Sequence, residues 1–347
     1  MQNPIQNEIT TKTRLLDESG NLVNPGWCRH NLYEYSRKAI KAPGWRIKEW
    51  DFYQISNSRY TVQITLADIS LGGAATIGVF DRQTGKRADG ISLSLLTFGR
   101  MKMSENANEP AVYTRRRPDL GLYVETTENT RRLRVNGYTT KGKISCDIEM
   151  EIMPGSEYLT MALPFQEEGH FYLNQKQNCM PCRGALRIGD EFSILFDPKD
   201  AFCVLDWGRG VWPYHEKWYW GNGSTYIDGK LFGFEIGWGF GDMSAASENT
   251  VFYDGKAHKI GEISLKKPHR FGLGYMKPWE FVSSDGRFNM TMTPEYDNHS
   301  MLGIPFVFGM HCHQVHGKWN GTVILDDGTK LEIRDMYAFC EHADNRW

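Results

Sequence analysis

Asp-Gly and Asn-Gly pairs recur along this chain, and runs that often alternate apolar and polar residues lie between them. Both residues of such a pair tolerate the positive φ that a twisted two-residue hairpin turn requires. Asp89-Gly90, Asn136-Gly137, Asp228-Gly229, Asp254-Gly255, Asp285-Gly286, Asn320-Gly321 and Asp327-Gly328 are therefore read as turns. The runs between them include Ile144, Cys146, Ile148, Met150 and Ile152 at every second position, and likewise Phe288, Met290 and Met292. Such alternation buries one face of a strand and wets the other. Helical i, i+3, i+4, i+7 patterning is hard to find, so the expected fold is all-β and antiparallel, with sheets closed into barrels or stacked as sandwiches.

At 347 residues the chain exceeds the usual 100 to 200 or so for one domain. Two domains are expected. Pro154-Gly155, Pro164 and the polar run Gln166 to His170 set the seam near 165, giving units 1–165 and 166–347. No obvious repeat of a solenoid or propeller is present.

Forty Lys and Arg balance 42 Asp and Glu, which argues against nucleic acid as a partner; Arg115-Arg116-Arg117 is read as a solvated turn. The start lacks a signal peptide's basic and apolar regions, and no apolar run approaches the roughly 20 residues of a membrane helix. A cytoplasmic protein with no membrane span is expected. Seven scattered cysteines suit a reducing compartment better than a disulfide framework.

Asp206 to Trp220, D-W-G-R-G-V-W-P-Y-H-E-K-W-Y-W, holds four of the 11 tryptophans. Ala201 to Leu205 reads as a buried strand that delivers Asp206 to its end, and Gly208 and Gly210 allow a tight bend. Trp218 and Trp220, two apart, share a strand face. If that face lines a barrel, indoles and a carboxylate converge on one cavity. The plainer alternative has the tryptophans fill a core while Arg209 pairs with Asp206.

Cys179-x-x-Cys182 with His311, Cys312, His313 and His316 invites a zinc reading. There is one CxxC, however, and His316 leaves the strand face that His311 and His313 share, so no metal is expected. CxxC lacks the βαβ context of a redox motif. Gly237 to Asp242 precedes no helix that would cradle phosphate, and no cofactor is implied. The last segment, rich in Glu341, His342 and Arg346 and ending on Trp347, is expected to dock by closing the second domain.

Asn24 to Arg29 (N-P-G-W-C-R), Lys48 to Tyr53 (K-E-W-D-F-Y), Lys176 to Cys179 (K-Q-N-C), Asp206 to Tyr214, the W-x-W at Trp218 and Trp220, Glu248-Asn249, His313 to Gly317 and the terminal E-H-x-x-N-R-W together resemble the bacterial family of domain of unknown function 2804. The likeness runs in order over nearly the whole chain. That family is distantly similar to tandem lipocalin-like (calycin) proteins such as carotenoid 1,2-hydratases and tocopherol cyclases, so the resemblance implies two lipocalin-like barrels in tandem. It raises Asp206, Arg209, Trp218, Trp220, Lys176, Asn178, His313, Glu341 and Arg346 as site residues. Cys182, His311 and His316 fall where the family pattern is not expected to require them.

Three functions fit. In the first, a non-redox enzyme of hydratase or cyclase type acts on an apolar small molecule. Asp206, its pKa raised by indoles, is the acid; Trp212, Trp218 and Trp220 form the wall, and Tyr214 or His313 relays protons. In the second, the protein carries or senses a lipophilic ligand and Asp206 is idle. In the third, Asp206 pairs with Glu248 or Glu341 for glycoside chemistry.

Overall fold

A computed structural model describes residues 6–266, 273–304 and 308–346; Trp347 lies outside them. The protein is built from two large antiparallel sheets of 13 and 9 strands, each curled into a lipocalin-like half-barrel.

Both sheets follow one plan. In the first, strands Ile47–Ser56, Tyr60–Asp68, Gly72–Asp81 and Arg87–Leu95 pair in succession. A second series runs from Ala111–Arg115 through Leu120–Thr126, Thr130–Thr139 and Gly142–Glu151 to Phe171–Ile188 and Phe202–Val211. Its last strand returns to pair with Ile47–Ser56. In the second sheet, the series starting at His215–Ile227 likewise ends with Lys330–Arg346 pairing back onto His215–Ile227. The C-terminal segment thus closes the second barrel.

Period-two burial follows the sequence pattern. Ile144, Cys146, Ile148 and Met150 enter the first core, and Phe288, Met290 and Met292 the second. The turn signals divide. Asp228-Gly229 (φ +50° and +74°) and Asp254-Gly255 (φ +50° and +78°) make the expected two-residue hairpins, and Asp285-Gly286 and Asp327-Gly328 also lie in turns. Asp89-Gly90, Asn136-Gly137 and Asn320-Gly321 instead sit inside strands. At Gly137 and Gly321 the backbone takes φ +147° and +154°, and a neighbouring carbonyl occupies the place of a Cβ. These glycines crease curled strands where the barrel wall crowds itself.

The sheets divide the chain between Val211 and His215, not at the seam expected near 165. Pro164 ends a strand, Leu159–Pro164, that hairpins straight onto Phe171–Ile188 in the same sheet. The tryptophan-rich stretch is therefore the crossing from one barrel to the other.

The barrels pack back to back. Odd positions of Phe202–Val211, such as Cys203, Leu205 and Trp207, enter the first core; Val204 belongs instead to a small cluster with Trp220 and Phe339 of the second sheet. A further aromatic cluster joins Trp27, Tyr172 and Trp212 to Ala246 and Phe252 across the seam.

Candidate functional site

The seam between the barrels holds a buried cluster of four carboxyl groups and one ammonium. Lys176 and Asp206 are direct cross-strand partners in the first sheet, and Lys176 Nζ lies 3.1 Å from Asp206 Oδ1. Alternation aims both at the second sheet. There Lys176 Nζ stands 4.0 Å above the ring centroid of Trp220 and 3.8 Å from Glu248 Oε1. Asn174, two residues before Lys176 on the same face, donates Nδ2 to Asp206 Oδ1 at 2.6 Å.

Three further carboxyls come from the second half of the chain. Trp220 Nε1 donates to Glu235 Oε2 at 2.6 Å, and Asn222 Nδ2 donates to Oε1. Trp218 Nε1 donates to Glu341 Oε1 at 2.8 Å, and Gln314 Nε2 donates to Oε2 at 3.1 Å. Glu248 has an oxygen, Oε2, with no hydrogen-bond partner among the described residues. Gly237 makes room for it: a Cβ there would sit 2.2 Å from that oxygen.

Burial dominates the proton affinities. It pushes Glu248 up to about 7; Lys176 opposes this and the charges of Asp206 and Glu341 add to it. Burial likewise holds Glu235 well above the carboxylate range against the pull of Lys176. Glu341 is raised by burial, with its bonds from Trp218 and Gln314 pulling the other way. Lys176, despite burial, is raised above the ordinary lysine value by Asp206, Glu248 and Glu235. Lys176 thus faces several carboxyls whose burial favours the protonated form, and an enclosed proton store of this kind suits acid–base chemistry.

The expected residues separate into groups. Asp206, Lys176, Glu248, Glu341, Trp218 and Trp220 come together in the seam. The expected cavity inside the C-terminal barrel is not where they meet, because Tyr219 takes the barrel side of the strand while Trp218 and Trp220 point outward to the first sheet. Trp212 is packed against Trp50, Tyr172 and Phe240. Asn178 ties the sheets together by donating to the Phe234 carbonyl at 2.9 Å.

Others lie elsewhere. Arg209, three positions from Asp206, faces the opposite way into the first barrel, where it meets Asp51 at 2.9 Å and the Ser104 and Trp50 carbonyls. The expected Arg209–Asp206 pair is replaced by Lys176–Asp206, since a strand turns residues three apart to opposite faces. Tyr214 is 47% exposed in the crossing loop. His313 lies on the face opposite Gln314 and donates Nδ1 to Asp297 at 2.7 Å. Arg346 pairs with Asp344 near the end of the last described strand.

Sequence reasoning missed Glu235 and Asn174. Glu235 carried a signal, as the one charge in L-F-G-F-E-I-G-W; Asn174 becomes meaningful only once its neighbour strand is known.

Comparison with known proteins places this arrangement in a wider setting. No curated protein matches the sequence. Among solved structures, kievitone hydratase from Nectria haematococca aligns over 100% of this chain and 98% of its own, at TM-score 0.51 and 10% identity. CghA aligns over 97% of both chains at TM-score 0.55 and 11% identity. A putative AttH from Nitrosomonas europaea covers 89% of this chain and 95% of its own at TM-score 0.51 and 12% identity. At these identities the shared property is the fold, two lipocalin-like barrels in tandem. Residues 6–347 match one family throughout, and the chain belongs to it: the domain of unknown function DUF2804.

Proposed function

We propose that the protein is a non-redox acid–base enzyme that adds or removes the elements of water, or moves a proton, on a small molecule bound at the seam between its barrels. The observation that carries this reading is Glu248: a buried carboxyl pushed up to about 7, with one oxygen unpartnered among the described residues, beside the Lys176–Asp206 ion pair. Such a carboxyl still holds a proton near neutrality and has an oxygen free to deliver it, as a general acid requires.

Glu248 then takes the role of acid, and ion-paired Asp206 that of base, with Asn174 and Lys176 fixing its orientation. Lys176 compensates the negative charge left on Glu248 after transfer. Trp218, half-buried beside Glu341, supplies an aromatic edge to the seam. The hydratase named among the structural neighbours is of the same reaction class. Burial of all four carboxyls disfavours an open sugar cleft, and a simple carrier has no need of a proton store.

The test begins with native mass spectrometry to identify co-purifying small molecules. These are incubated with enzyme in D2O. Solvent deuterium should enter the molecule with the native protein and at a rate lower by about 10²–10⁴ with Glu248→Gln. Equal incorporation by a folded Glu248→Gln variant would sink the reading.

A further inference from the structure

We propose that His299, His311 and His313 form a binding site for a divalent first-row transition-metal ion of the zinc type, with Asp297 holding the His313 ring. The site lies on the face of strand Phe308–Ile324 opposite Gln314, away from the acid cluster, and is independent of the function proposed above.

Cross-strand register assembles the three imidazoles. His299 on strand Phe288–Ile304 stands directly opposite His313, and Met301 opposite His311. Residues two apart share a face, so His299, His311 and His313 project together. One ring nitrogen of each lies within 4.8 Å of those of the other two. His311 Nε2 and His299 Nε2 are 3.0 Å apart. Around a tetrahedral ion with bonds of about 2.0–2.1 Å, neighbouring nitrogens are separated by roughly 3.3 Å. The spacing suits a common ion, and closing on it requires the parallel His299 ring to tilt toward His313, because a metal lies in the plane of each ligating imidazole.

Further features suit a metal. Asp297 Oδ2 accepts from His313 Nδ1 at 2.7 Å, which leaves Nε2 as the available ligand atom. A carboxylate behind a ligating imidazole is the usual outer support of such sites. Tyr275 stacks on His313 at 3.8 Å and holds that ring, so the exposed His299 ring, parallel to it at 4.0 Å, is the one that turns toward an ion. The facing nitrogens of His299 and His311 require a shared proton or a cation between them. His299 and His311 are exposed, so an ion can arrive from solvent, and three protein ligands leave a coordination position open.

The full chain is titrated by calorimetry with Zn2+, and separately with Co2+ followed by visible absorption. We expect one saturable equivalent and the intense bands of four-coordinate Co2+. His299→Ala and His311→Ala should each reduce affinity more than tenfold, and Asp297→Asn by about 10–100-fold. His258→Ala, paired to Asp326 elsewhere, should change nothing. Circular dichroism checks that each variant is folded. Absence of saturable binding, or binding that survives both alanine variants, would overturn the site.

Discussion

Glu248 and Lys176 are the residues on which the seam's electrostatics turn, and each has a consequence for stability. The Glu248 carboxyl is raised from 4.5 to about 7 in the folded protein. Its stabilising proton is fully bound in both states below pH 4.5, and its contribution is lost as pH rises toward and through 7. Stability should fall by on the order of 3 kcal/mol from this group between pH 4.5 and 8. Urea unfolding of Glu248→Gln should show a flatter profile over that range. Lys176→Met leaves Asp206 buried without its partner and should cost about 3–5 kcal/mol, much of it recovered in Lys176→Met/Asp206→Asn. Gly237→Ala is milder. Its Cβ must displace the Glu248 carboxyl, so activity should drop sharply for a stability loss of about 1–3 kcal/mol.

Strands were the most legible elements, because alternation is a local signal that burial rewards directly. Ile144 to Met150 and Phe288 to Met292 behave as their spacing implies. Asp-Gly and Asn-Gly pairs are less specific: the same tolerance of unusual backbone serves both a hairpin at Asp228-Gly229 and a crease at Asn320-Gly321. Gly184 shows the second use. At φ +144°, with the Asp147 carbonyl 2.2 Å from where a Cβ would stand, it bends strand Phe171–Ile188. Gly184→Ala should destabilise the protein by more than about 2 kcal/mol in urea unfolding, whereas Gly229→Ala, with open space around it, should cost less because only its φ is strained.

Two barrels share one chain in a way that a cut at 165 would not respect. A fragment of residues 1–165 lacks Phe171–Ile188 and Phe202–Val211, the strands joining Gly142–Glu151 to Ile47–Ser56. It should give an amide spectrum without the dispersion of a folded sheet. From the sequence alone came the all-β class and the buried faces of strands such as Ile144 to Met150 and Phe288 to Met292, since these depend on neighbours along the chain. Which partners those residues meet was a matter for the folded molecule. Asp206 finds Lys176 rather than Arg209, Glu248 enters the seam from the far barrel, and His299 joins His311 and His313 because strands distant in sequence fall into register. Period two tells where a side chain points; only packing of one barrel on the other supplies what it points at.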